Sequence, residues 1–284
     1  MKKILIILVS VCCLLTVFPS CGDNSPRTPE ELKVLFIGNS FSADTSLHLA
    51  DIAQSFGVQN VTIGNLYIGG CSIRKHYENA VNDYAVYEYH VDRGNGFIKT
   101  LRHRIRDTIK SEEWDWIAIQ HGTLDGSRYA EEESYEKLPA LIDYIRSIAS
   151  EKTNIAFNMT WVGEKNSHEE MITFRNNQLK YYQAIASLTE RLIVPMEGLT
   201  AVSPTGTAIQ NARAAGAGLL TRDKYHLTED FGCYIAGLTF FRTVTGLDIS
   251  SIPWKPDGVT EEQRLLAVEA VNNAITTPFT VTER

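Results

Sequence analysis

Val34-Leu35-Phe36-Ile37-Gly38-Asn39-Ser40-Phe41-Ser42 decides how the rest of the chain is read. Four apolar residues in succession, two of them β-branched, read as a strand covered on both faces, the habit of a parallel sheet. Gly38 allows a tight exit, and Asn39 tolerates unusual backbone angles nearly as well. Leu47, Leu49, Ala50, Ile52, Ala53 and Phe56 then keep helical spacing and stop at Gly57. A strand, a sharp turn and a helix place Ser40 at the carboxyl end of the first strand, where open α/β sheets build their sites. A serine there can act as a nucleophile if a base is supplied from elsewhere in the chain. It can equally serve, with Ser42, only to cap the helix.

Before this strand the chain reads as an address. Lys2 and Lys3 open it, an apolar run from Ile4 to Val17 follows, and Phe18-Pro19-Ser20-Cys21 closes it. The run is short for a bilayer span. The arrangement resembles a bacterial lipoprotein signal over 1–20, in which Cys21 is lipidated and becomes the mature N-terminus. Residues 21–31 are polar and carry two prolines, as a tether would. The expected location is therefore the cell envelope, with the membrane reached through the lipid anchor only. Removing Lys2 and Lys3 from 27 basic residues leaves 25 against 34 acidic, a formal charge of −9. That balance argues against nucleic acid as a partner. Of five cysteines, Cys12 and Cys13 leave with the signal, and Cys71 and Cys233 remain as free thiols or as a pair. No CxxC pair or histidine cluster has metal-ligand spacing, so no metal is expected.

Beyond the first strand and helix, Asn60 to Ile68 reads as a second strand running into Gly69-Gly70-Cys71-Ser72. Tyr87 to Val91 and Gly96 to Lys99 suit a hairpin around Asp92-Arg93-Gly94-Asn95-Gly96, either a substrate rim or a solvated surface element. A helix over Leu101 to Lys110 is expected next, then a strand over Trp114 to Gln120 and a helix through Leu138, Leu141, Ile142, Ile145 and Ile148. Asn154 to Thr160 reads as the fourth strand, Ile172 to Leu188 as a helix, and Leu192 to Met196 as the fifth strand, with Pro195 favouring an edge or an end. A helix around Ala208 to Ala215 follows. The helix from Phe231 to Val244 is apolar nearly all round and should be buried, with Gly232 and Gly237 letting it lie close to the sheet. The last helix opens on a capping box, Thr260 and Gln263, and should bury Leu265, Leu266 and Val268. Strand and helix alternate without internal repeats, which predicts a parallel, three-layer α/β/α sandwich in one domain, 32–284.

A base for Ser40 is found in Asp223-Lys224-Tyr225-His226, just ahead of Thr228, whose neighbours Glu229 and Asp230 suit a helix start. A histidine that moves a proton needs its other ring nitrogen held by a partner. Asp and His three apart in one loop let the carboxylate do that locally. The pattern alone is weak, because a surface turn can produce it. His121 is the rival base, without a close carboxylate in sequence, although Asp125 is near.

Taken together, Gly38-Asn39-Ser40-Phe41-Ser42, Gly69-Gly70-Cys71-Ser72 and Asp223 to His226, with Leu227, Gly232 and Tyr234, resemble the first, second and last blocks of the SGNH (GDSL-like) hydrolases. Asn39 stands where Asp is commoner. The resemblance spans Leu32 to Gly246. It implies a five-stranded parallel flavodoxin-like sheet of order 2-1-3-4-5, and a Ser40–His226–Asp223 triad with Gly70 lending a backbone N–H to the oxyanion hole. The third block diverges. Gly-x-Asn-Asp is replaced by Gln120-His121-Gly122-Thr123-Leu124-Asp125, and Leu124 stands where the Asn would fall. Gln120 is the candidate substitute donor, since its amide offers the same chemistry. Arg74, His76, His121 and Trp161 are candidates for lining a substrate cleft, or for ordinary packing. The resemblance implies a serine esterase, removing O-acetyl or related ester groups from a carbohydrate or other small substrate, with no cofactor. Two other classes stay open: a weakened enzyme that now binds glycans at the envelope, and a flavodoxin-like phosphate binder using the turn at Gly38 to Thr45.

Overall fold

Successive residues of β1 (Glu31–Gly38) bury to opposite faces in the computed structural model of the chain, which describes residues 26–121, 130–167 and 169–282. Val34 and Phe36 join one apolar cluster, and Leu35 and Ile37 join the other. Both faces of the strand are therefore covered, which is why it reads as an unbroken apolar run instead of an alternating one. Each such side chain contributes about 1.5–3 kcal/mol by leaving water.

The other strands are β2 (Asn60–Tyr67), β3 (Tyr87–Asp92), β4 (Phe97–His103), β5 (Trp116–Gln120), β6 (Asn154–Asn158) and β7 (Ala201–Ser203), in the spatial order β4-β3-β2-β1-β5-β6-β7. The run β2-β1-β5-β6-β7 is parallel throughout and has the order 2-1-3-4-5. The sheet nevertheless has seven strands, not five. The hairpin β3–β4 extends it antiparallel beyond β2, so the predicted hairpin is part of the sheet. β4 is the outer edge. Ile98 and Leu101 are 68% and 70% exposed there, and Arg102 has a left-handed backbone (φ 64°) where the register slips.

Helices α1 (Ser40–Ser46) and α2 (Leu49–Ser55), with α8 (Thr205–Ala214), α9 (Phe231–Thr245) and α10 (Glu261–Thr276), supply the first cluster. Helices α3 (Ile73–Val81), α4 (Ile105–Lys110) and α5 (Leu138–Arg146) supply the second. Between β6 and β7 lie α6 (Glu169–Thr173) and α7 (Gln178–Leu188). Among the described residues no helix is long and apolar enough to cross a membrane.

Several elements differ from their sequence reading. Leu192 to Met196 is not a strand. The chain leaves α7 through a π-helical turn, Thr189–Ile193, that buries Ile193, and Ala201–Ser203 takes the fifth parallel position beside β6. A short apolar run fits a buried helical turn as well as a strand, and Pro195 could not have donated to a ladder. The helix expected over Ile172 to Leu188 breaks at Arg175 and Asn176, both at φ 55°, and Asn177 caps its second half. The helix expected from Leu101 begins at Ile105, because β4 claims the preceding residues. The helix after Ser40 is split at His48.

In α9 the glycines bring the helix close to its neighbours, not to the sheet. A Cβ on Gly237 would lie 3.0 Å from Ile52 Cδ1, and one on Gly232 would lie 2.7 Å from Leu220 O. The capping box of α10 forms as expected. Leu265 is 54% exposed, and the small residues Ala267, Ala270 and Ala274 do the packing with Val268 and Val271. Cys71 and Cys233 are both buried and are not joined in a disulfide.

Candidate active site

Space, more than backbone freedom, requires glycine at position 38. A Cβ there would fall 2.4 Å from Ser42 Oγ and 3.3 Å from Gln120 Cδ. Asn39 then leaves the strand in extended conformation and caps α1, its Oδ1 accepting from Phe41 N at 2.9 Å. The same oxygen accepts from Gln120 Nε2 at 2.7 Å, while Nδ2 donates to Cys71 O at 3.1 Å and to His121 O at 3.3 Å. One buried amide thus ties together the ends of β1 and β5 and the turn that follows β2. Ser40, next in the chain, is the first residue of α1 and partly exposed. Its N–H precedes any intrahelical acceptor.

The turn after β2 closes with Cys71 N donating to Ile68 O at 3.1 Å, and Gly70 adopts φ +63° within it. That left-handed backbone is what glycine provides without strain. Among the described residues the Gly70 N–H has no acceptor. Ser72 caps α3 by accepting from Lys75 N.

The loop before α9 carries the other half. Asp223 Oδ2 bonds His226 Nδ1 at 2.6 Å, and Oδ1 accepts from the backbone N–H groups of Tyr225 and His226. Slight burial pushes the Asp223 carboxyl up, but the bonds from His226 and Tyr225 prevail and hold it at about 2. With Nδ1 turned to the carboxylate, Nε2 is the nitrogen left to accept a proton. Lys224, between them, is held at φ 76°, a left-handed conformation that a lysine adopts only under restraint. The restraint is visible: Glu164 N donates to Lys224 O at 2.8 Å, Trp161 Nε1 donates to Tyr225 O at 2.7 Å, and Arg222 N donates to His226 O at 2.9 Å.

The two halves meet across α1. The Phe41 ring lies 6.0 Å from that of His226 and 4.8 Å from that of Trp161. Asp44 Oδ2 accepts from Leu227 N at 2.8 Å, and its Oδ1 accepts from Arg222 Nη2 at 2.9 Å. Ser40 Oγ and His226 Nε2 are not hydrogen-bonded to one another in the structure; such bonds often tighten only when substrate binds.

The remaining candidates fall differently. Gln120 reaches toward the Ser40 turn; it is 1% exposed, and one N–H of its amide is given to Asn39 Oδ1, so it supports the turn. Leu124 and Asp125 lie outside the described residues, as do Cys21 and the leader. His76 does not line a cleft. It is buried on the inner side of α3 with Nδ1 on Tyr87 OH at 2.9 Å, and burial holds it down at about 3. Trp161 is likewise fully buried and braces the His226 loop. His121 is buried against Tyr135 and held down at about 3 by loss of solvent, which disfavours it as the base. Arg74 is exposed, its Nη2 3.9 Å from Glu136 Oε2. Sequence reading missed Asp44 and Arg222, whose signal was the spacing of Asp44 four residues after Ser40, on the same helical face. Among the described residues no cluster of His, Cys, Asp and Glu is suited to a metal ion.

The molecule is thus an α/β sandwich that gathers a serine and a carboxylate-held histidine beyond the carboxyl ends of its parallel strands. Within that class, the chain belongs to the family described as domain of unknown function DUF4886, whose model matches residues 33–274. A DUF4886 family protein from Bacteroides uniformis ATCC 8492 is 33% identical and superposes with a TM-score of 0.83, over 89% of this chain and 98% of that one. An acetylxylan esterase from Geobacillus stearothermophilus, in a catalytic mutant, is 15% identical with a TM-score of 0.45, over 76% of this chain and 94% of that one. A member of the lipolytic G-D-S-L family from Veillonella parvula DSM 2008 is 13% identical with a TM-score of 0.46, over 73% and 95% respectively. Among curated proteins no sequence match was found.

Proposed function

We propose that this chain is a serine ester hydrolase that removes O-acetyl or similar acyl groups, with carbohydrate esters as the substrate class. The observation that carries the reading is the His226–Asp223 bond, in a loop fastened to the helix that begins at Ser40. In this reading Ser40 Oγ attacks the ester carbonyl and His226 Nε2 takes its proton. The same nitrogen then returns the proton to the leaving alcohol, and water repeats the sequence on the acyl-enzyme. Asp223 stays ionised and keeps the imidazole oriented. The N–H groups of Ser40 and Gly70 receive the charge that develops on the carbonyl oxygen. These groups complete the chemistry without a cofactor. The carbohydrate substrate class rests on the SGNH-like blocks and on the lipoprotein-like leader, which would hold the enzyme at the envelope by a lipid on Cys21.

A second reading is favoured by Gln120. One N–H of its amide is given to Asn39; with the other turned away from the substrate the hole has two backbone donors, and the lack of a third costs about 10²–10³ in rate. A protein weakened to that degree could persist as a glycan-binding lipoprotein. Hydrolysis of p-nitrophenyl acetate and acetate release from acetylated glycans, by native protein and by Ser40→Ala, separate the two. Turnover that disappears with Ser40→Ala supports the enzyme, whereas glycan binding without turnover supports the binder.

A further inference from the structure

We infer that Asp44 is the residue that sets the separation of Ser40 and His226, holding the histidine loop against the nucleophile's own helix. The inference rests on Ser40 and His226 being nucleophile and base.

Asp44 follows Ser40 by one helical turn, so a displacement of its carboxylate is a displacement measured from the serine. Asp44 is 4% exposed, and its carboxylate grips the loop on both flanks of the Asp223–His226 pair. Leu227, whose N–H donates to Oδ2, is the residue after His226; Arg222, whose guanidinium donates to Oδ1, is the residue before Asp223. The loop is also closed on itself, by Arg222 N on His226 O and by the bridge between Thr221 and Leu227. It therefore moves as a unit, and the Asp223–His226 bond inside it fixes the ring's orientation but not its distance from Ser40. Trp161 and Glu164 brace the loop from the segment after β6. The bonds of Asp44 are those that join it to α1.

Burial pushes Asp44 up, and the Arg222 charge and the Leu227 N–H oppose that without reversing it. The fold thus disfavours the charged form of this carboxyl, and apolar side chains in place of the whole Asp44–Arg222 pair would pack more cheaply. What the carboxyl provides is position. A misplacement of about 1 Å in a catalytic pair costs about 10²-fold in rate.

The test uses the whole protein with p-nitrophenyl acetate, measuring kcat and KM separately, with circular dichroism and thermal unfolding as controls. Asp44→Ala removes both bonds and should lower kcat about 10²-fold with KM within about twofold. Asp44→Asn keeps an oxygen for one donor and should recover part of the loss, to about tenfold below native. It also decides the matter if Asp44→Ala does not fold. A folded Asp44→Asn with native kcat, or with only KM raised, overturns the inference while a dead Ser40→Ala keeps the hydrolase reading intact. Native turnover in Ser40→Ala overturns both.

Discussion

Asn39→Asp is nearly isosteric, yet it should be among the more damaging single-atom exchanges in this chain. The native Nδ2 donates to Cys71 O and His121 O, while Oδ1 accepts from Phe41 N and Gln120 Nε2. Exchanging the NH₂ for a second carboxylate oxygen leaves the accepting side intact and turns the donating side against two buried carbonyls. Each carbonyl left without its donor costs about 1–3 kcal/mol, so the variant should lose about 2–6 kcal/mol. Urea unfolding at neutral pH measures this as a lower midpoint with an unchanged slope. The pH dependence sharpens the test. A buried carboxyl facing carbonyl oxygens has its folded pKa raised above the unfolded value of about 3.9. The deficit is therefore full above the folded pKa and shrinks as the pH falls through it, when the carboxyl regains a proton to donate. A variant as stable as native at neutral pH, or a deficit that does not change on acidification, would refute the account of Asn39.

Ser40→Ala and His226→Ala should each remove nearly all ester hydrolysis, and the double variant should be little worse than either, because such groups act as a unit. Asp223→Asn should cost about 10³–10⁴ in kcat with native circular dichroism. Since the folded Asp223 is held at about 2, its contribution to stability is present above the ordinary carboxylate range and is lost as the pH falls toward that value. An acid melt of Asp223→Asn should therefore lack the part of the native transition that lies there. A fatty-acid probe should label the protein made in a bacterial host and leave Cys21→Ala unlabelled; equal labelling of both would remove the lipid anchor.

Features set by local chain geometry were readable in the sequence. The apolar run of β1, the glycine-rich turn holding Gly70, the Asp223–His226 spacing and the Thr260 cap each announce themselves within a few residues. Roles set by long-range contacts were not. Gln120 ends on Asn39, 81 positions away, and Asp44 reaches Leu227 across 183, so neither partner could be inferred from spacing. The amide of Gln120 points at the Ser40 turn, where one of its N–H groups meets Asn39 Oδ1. Apolar residues fail in another way. Leu192 to Met196 and Leu265 were read by composition, and a short run of that kind does not distinguish a strand from a helix or an inner face from an outer one.

The open edge at β4 has a consequence for how copies of this protein meet. A terminal strand with apolar Ile98 and Leu101 in water offers a template on which a second strand could add. What stands in the way is charge. The strand carries Lys99 and Arg102 and is followed by Arg104, so two such edges approaching antiparallel bring like charges face to face. The left-handed Arg102 also interrupts the regular row of donors. Of these two guards, the electrostatic one weakens with ionic strength, because the screening length falls from about 10 Å at 0.1 M to about 3 Å at 1 M salt. Colloidal behaviour should therefore run opposite to the usual rule for surface ion pairs: added salt favours self-association through this edge, and dilute buffer keeps the molecules apart.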